Sequence, residues 1–188
     1  KLKSNIKALL FLLVVFTIQN TSAQDYFSKF SKIQDLGGIE EYVYQPNRMN
    51  LLLVQDNSAP VVTVQIVYRV GSKHEVPGNT GSTHLLEHLN FKGTPTFNRK
   101  NGKSIDNVLG GIGAQMNATT WYDRTNYYQT IPSDKIELAL HIEADRMRNS
   151  LLLKEDKEAE MTVVRNEFER GENNPGSLLN KEIWATAY

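Results

Sequence analysis

The chain has 188 residues and balances 21 lysine and arginine residues against 21 aspartate and glutamate residues. That length suits one domain of ordinary size with a real core, its two-fifths apolar content is globular rather than disordered or fibrous, and its charge balance leaves no nucleic-acid footprint. It has no cysteine, which excludes a cysteine nucleophile, a thiolate zinc site, a disulfide framework and a lipid-modified cysteine.

Lys1, Lys3 and Lys7 precede an apolar run from Ala8 to Ile18, and small residues follow at Thr21-Ser22-Ala23. A basic start, a short apolar middle and a small-residue exit describe a secretory signal peptide over residues 1–23. The run is too short for a stable membrane span, so the expected location after its removal is periplasmic or secreted. Because the chain starts with lysine and closes in helical sequence at Ile183–Tyr188, it reads as part of something longer.

Residues 24–38 are a polar-aromatic lead-in with no assigned structure, and 39–188 form the expected principal domain. Ile39–Tyr44 and Met49–Gln55 read as strands joined by a turn at Gln45-Pro46-Asn47-Arg48. Val61–Val70 is the clearest strand, with Val62, Val64, Ile66, Tyr68 and Val70 on one face. A loop over Gly71–Asn79 leads to a helix from Ser82 to Phe91, with Ser82 or Thr83 as the expected cap and Gly93 as the stop. Lys103–Leu109 reads as a short helix ended by Gly110-Gly111. Ala114–Thr120 and Thr125–Ile131 read as strands around a turn near Tyr122-Asp123-Arg124. Ser133 or Asp134 caps a helix running to Asn149, whose Ile136, Ala139, Leu140 and Met147 share a face. A charged helix covers Lys154–Arg170, a break follows at Glu172–Gly176, and another helix begins. Hairpin-like strands followed by a block of helices predict an α+β fold, an antiparallel-rich sheet packed by helices.

The chemistry concentrates in His84-Leu85-Leu86-Glu87-His88. Histidines four apart on a helix project from one face on successive turns, so their imidazoles can hold one tetrahedral zinc ion. Glu87 reaches the same side without ligating. The order inverts the His-Glu-x-x-His of other zinc peptidases while keeping the same three roles. Such a site needs a third protein donor. His74 in the loop and His141 in a helix are each expected to be ordinary surface or partly buried histidines. The acids of the charged helix, Glu155, Glu158, Glu160, Glu167, Glu169 and Glu172, are better candidates. Within that set Glu160 and Glu167 share a face beside apolar neighbours.

The motif continues as Leu89-Asn90-Phe91-Lys92-Gly93-Thr94 and is preceded by Val70-Gly71-Ser72, Glu75 and Gly81. It is followed by Asn117-Ala118-Thr119-Thr120, Asp123, Thr125-Asn126-Tyr127-Tyr128 and Glu160-x-x-Val163-x-x-x-Glu167. Over Val61–Arg170 this series resembles the pitrilysin/insulinase family of inverted-motif zinc peptidases, which includes the mitochondrial processing peptidase. The resemblance implies one Zn2+ per catalytic domain, with His84, His88 and Glu167 as ligands. It implies Glu87 as general base and Glu160 as an accessory catalytic carboxylate. It places Asn117 and Ala118 on a strand edge where an extended peptide substrate adds. It also implies a second homologous domain or subunit that closes around the peptide. Thr119 departs from the aromatic that relatives often carry there. The activity implied is hydrolysis of extended or unfolded peptides; the alternative is a non-catalytic peptide-binding or partner subunit on the same fold.

Overall fold

The computed structural model describes residues 26–187. The expected signal peptide lies outside the described residues. Two compact units divide between Ala59 and Pro60.

The first unit is an antiparallel meander of β1 (Phe30–Leu36), β2 (Ile39–Tyr44) and β3 (Met49–Val54), in that spatial order. Leu36 pairs with Ile39, leaving Gly37 and Gly38 as a two-residue turn with φ of 61° and 83°. Two successive positive φ values give the turn whose twist matches antiparallel strands, and glycine adopts them without a Cβ penalty. The lead-in therefore contains a strand that its mixed polar and aromatic composition did not reveal; Gly37-Gly38 was the available signal. The second turn, Gln45–Arg48, falls where expected, with the Arg48 N–H donating to the Tyr44 carbonyl at 2.9 Å.

The second unit holds β4 (Val61–Tyr68), β5 (Gln115–Thr120) and β6 (Thr125–Pro132) in an antiparallel sheet of order β4-β6-β5. Its helices are α1 (Ser82–Leu89), α2 (Ile105–Gly110), α3 (Ile136–Asn149), α4 (Lys154–Glu172) and α5 (Pro175–Ala187). The mixture of helices and antiparallel strands is the expected α+β class. The alternation of β4 holds: Val62, Val64 and Ile66 lie opposite Ile131, Gln129 and Tyr127 of β6. The core gathers Val64, Ile131, Phe97, Ile105, Leu109, Ala139 and Ile142, joining β4 and β6 to α2 and α3. Ile105 and Leu109 are four apart and α2 is capped by the Ser104 hydroxyl, so a short helix still delivers two buried side chains.

Three local expectations change. Ser133 and Asp134 lie in a short 3-10 turn and do not cap α3, whose N-cap position is Lys135. Helix α3 turns a different face inward: Ala139, Ile142, Glu143 and Arg146 are buried, whereas Ile136, Leu140 and Met147 are exposed. The charged pair follows the 3.6-residue period as well as the apolar residues do, and their mutual neutralisation lets them enter. Helix α1 is not capped by its own Ser82 or Thr83, since Gly81 occupies the N-cap position. The cap is the Glu75 carboxylate from the preceding loop. It accepts the Gly81 N–H at 2.7 Å, the Thr83 N–H at 2.8 Å and the Thr83 hydroxyl at 2.6 Å. Burial alone would raise the Glu75 pKa, but these donors outweigh it and hold the carboxyl below the usual range.

Candidate active site

Helix α1 contacts both β5 and α4, and this position makes the site. From α1, His84 and His88 project on successive turns with ring centroids 4.8 Å apart. From α4, the Glu167 carboxylate meets them. The His84 and His88 Nε2 atoms lie 3.2 Å apart, and Glu167 Oε2 lies 3.4 Å from the first and 3.5 Å from the second. Zinc–nitrogen and zinc–oxygen bonds of 2.0–2.2 Å at tetrahedral angles put donors about 3.3–3.6 Å apart. The observed triangle therefore fits one zinc ion, with a fourth position left for solvent or substrate.

The outer groups orient this triangle. His88 Nδ1 donates to Glu160 Oε2 at 2.8 Å, which leaves the Nε2 lone pair for a metal. The other Glu160 oxygen pairs with Lys92 Nζ. Burial works against the Glu160 charge, but Lys92 and His88 outweigh it and hold the pKa below the ordinary carboxylate value. Glu160 is the only buried residue of the 19-residue α4. Glu87, also buried, points to β5, where its Oε2 accepts the Thr120 hydroxyl at 2.6 Å.

A cleft of about 830 Å³ holds these groups and is bordered by Asn117, Ala118 and Thr120 of β5. Strand β5 pairs with β6 on one side only within its sheet. Along the other edge, the Ala118 N–H donates to its neighbour's Asn117 Oδ1 at 2.8 Å.

The structure thus brings together His84, His88, Glu167, Glu160 and Glu87, with Asn117 and Ala118 on the same cleft. It keeps the remaining candidates apart. His74 Nδ1 accepts the Gly71 N–H at 3.2 Å, and His141 packs edge-on against Phe97. Glu155, Glu158, Glu169 and Glu172 are exposed. Three contributors escaped the sequence reading as functional groups: Lys92, Thr120 and Glu75. The spacing of Lys92, four residues after His88 in the turn that follows α1, was the signal for the first. Nothing local marks Thr120 or Glu75, whose partners are fixed by the approach of β5 and the path of the loop.

A helix-borne pair of histidines facing a carboxylate from a second helix, on an α+β domain, is a donor set that could hold a metal ion. A profile of the insulinase family of peptidases (peptidase family M16) matches residues 50–188, and the chain belongs to that family. The zinc protease PqqE of Helicobacter pylori is 37% identical over 135 residues, 71% of this chain and 30% of that protein. The mitochondrial-processing peptidase subunit beta of Caenorhabditis elegans is 33% identical over 115 residues, 61% of this chain and 24% of that one. The structure of pitrilysin matches with a TM-score of 0.68 at 25% identity, covering 79% of this chain and 16% of pitrilysin. The chain thus spans no more than about a third of the length of these relatives.

Proposed function

We propose that this chain supplies the zinc-binding, catalytic part of a peptidase that hydrolyses extended or unfolded peptides. The observation that carries the reading is the convergence of His84 Nε2, His88 Nε2 and Glu167 Oε2 at 3.2–3.5 Å, with Glu87 beside them. In this reading His84, His88 and Glu167 hold the metal, and Glu160 positions His88 by fixing its tautomer. Zinc bound there supplies Lewis acidity toward a peptide carbonyl and toward water.

The remaining steps belong to the chain's own side chains. Glu87 takes a proton from the attacking water onto its carboxylate and passes it to the leaving amine. The Thr120 hydroxyl holds the Glu87 carboxylate toward the cleft while it does so. Asn117 and Ala118 offer the β5 edge to the substrate, and an added strand displaces the Asn117 side chain from the Ala118 N–H. Main-chain pairing of that kind is indifferent to side chains, which suits a peptidase.

A second homologous domain or subunit completes the enclosure. That proposal is supported by the greater length of the relatives and by one of them being a subunit, that of the mitochondrial-processing peptidase. Export to the periplasm or beyond is supported by the basic, apolar and small-residue order of residues 1–23. Among the described residues, no helix is long and apolar enough to cross a membrane.

The test is zinc content by elemental analysis alongside turnover of an unstructured peptide. Glu87→Gln is expected to keep about one zinc per chain and lose activity by about 10²–10⁴-fold. Turnover close to the parent's would remove Glu87 from the base role. Glu167→Ala is expected to lower zinc affinity by more than about a hundredfold, beyond what loss of an orienting partner does. Zinc retained at parental affinity would mean another donor completes the site.

A further inference from the structure

The residues just beyond the β5 edge are aromatic and open. Trp121 and Tyr122 border the cleft that holds His84, Glu87 and Glu167. Trp121 is 56% exposed and Tyr122 41%, unusual exposure for side chains of this size on a tightly held backbone. Their rings meet at 5.2 Å and 67°, and Tyr122 meets Trp184 of α5 at 5.0 Å and 40°. Three rings thus form a continuous shelf at one end of the cleft.

The shelf is fixed in place. The Ser72 and Lys73 N–H groups donate to the Trp121 and Tyr122 carbonyls at 3.0 and 2.8 Å, and the Trp121 N–H donates to the Arg124 carbonyl at 2.8 Å. Gly71 allows the close approach, because a Cβ there would lie 2.1 Å from the Trp121 carbonyl oxygen. Four residues of hairpin are clamped by a loop on one side and by their own turn on the other, yet their two largest side chains face open space. Ordering a rigid aromatic surface in advance lowers the entropy cost of binding to it.

We propose that Trp121 and Tyr122, backed by Trp184, form a specificity subsite that takes a bulky apolar or aromatic side chain of the peptide. The proposal rests on the peptidase reading above. The sequence order sets its position: Thr120 touches the base Glu87, and Trp121 and Tyr122 follow directly. At about 3.4 Å per residue of strand, the shelf lies within about two residues of the bond to be cleaved.

The experiment uses the complete zinc-loaded protein and a set of peptides identical except for phenylalanine or alanine at each position flanking the cleavage point. The parent is expected to favour phenylalanine at one position within two residues of the bond, by about tenfold or more in kcat/KM and chiefly through KM. Trp121→Ala and Tyr122→Ala are expected to shrink that ratio below about threefold, and Trp121→Phe to restore most of it. An undiminished ratio in both alanine variants would overturn the subsite while leaving the peptidase reading intact.

Binding of the same fluorescently labelled peptides to Glu87→Gln protein, read by anisotropy, separates the two ideas. Phenylalanine-dependent binding that Trp121→Ala abolishes, together with a parent that turns nothing over, would keep the subsite and sink the peptidase. Binding without any preference would sink the subsite outright.

Discussion

Two groups of ionisable side chains lie close to helix α1, and they are built on opposite principles. Beneath β6, Glu143 and Arg146 of α3 are both buried, and their charges cancel. Arg146 Nε donates to Glu143 Oε2 at 3.1 Å, Gln129 Nε2 donates to Glu143 Oε1 at 2.9 Å, and the guanidinium lies 4.1 Å from the Tyr127 ring centroid. Burial pushes the Tyr127 hydroxyl up to about 12, against the hydrogen bond from Asn90, so it stays protonated there. In the cleft, by contrast, His84 Nε2, His88 Nε2 and Glu167 Oε2 converge within 3.2–3.5 Å of one another, and both His84 and Glu167 are more than a third exposed. In the buried cluster the opposite charges face each other, although Arg146 Nη1 and Gln129 Oε1 are left without a hydrogen-bond partner. In the cleft the three atoms converge in a set that could hold a cation, which is the role proposed for them above.

Breaking the buried ion pair should cost most. Arg146→Met leaves Glu143 buried and unpaired, and an unfolding free energy lower by about 3–5 kcal/mol is expected in chemical denaturation. Zinc content of the folded protein should not follow it; parallel loss of both would show that the two clusters are one system. The converse change, Glu167→Gln, should abolish zinc binding and shift the stability of the metal-free protein by less than about 0.5 kcal/mol, because Glu167 is an exposed group. Metal-free unfolding curves compare the two variants directly.

Between these extremes stands Glu160, which is buried like the first cluster but serves the second. Glu160→Ala removes the acceptor that fixes His88, and zinc affinity should fall about 10–100-fold, measured by competition with a chelator. No change would mean that α1 packing alone orients the ring.

The smallest effect is expected at Glu75→Ala, which uncaps α1 at a cost of about 1–2 kcal/mol. Its pH dependence has a definite sign. The Glu75 and Glu160 carboxyls are held below their ordinary value of 4.5, so the stability they add is present at neutral pH. It drains away as pH falls through 4.5 and below, when the folded state must take up protons it resists. An acid titration of the Glu75→Ala variant should show a shallower loss over that interval than the parent; identical slopes would remove Glu75 from the account.

Much of the fold and half of the site are legible in local pattern. The alternation of Val62, Val64 and Ile66 gives β4, and the His84–His88 spacing gives two imidazoles on one face, because each depends only on the geometry of its own segment. The reading failed where a residue's environment came from elsewhere. Helix α3 buries Glu143 and Arg146 instead of Leu140 and Met147, because the charges find each other and Gln129. Strand β1 was hidden by composition, although Gly37-Gly38 announced its turn. The cap of α1 came from the loop residue Glu75, not from the serine or threonine at its start.

By itself, then, the sequence determined the two histidines, the adjacent Glu87 and the acidic helix that had to provide a third donor. Of the six carboxylates on that helix, the local argument favoured Glu160 and Glu167, which share a face beside apolar neighbours, and only the family resemblance chose Glu167 between them. The tertiary structure decided which of them meet α1: the packing of α4 sends Glu160 inward to His88 Nδ1 and brings Glu167 to both Nε2 atoms, one helical face apart from its exposed neighbours. It also decided that Thr120 reaches Glu87 and that Trp121 and Tyr122 stand open beside them. Periodicity fixes which side chains share a face within a segment, but only the packing of distant segments fixes what that face meets.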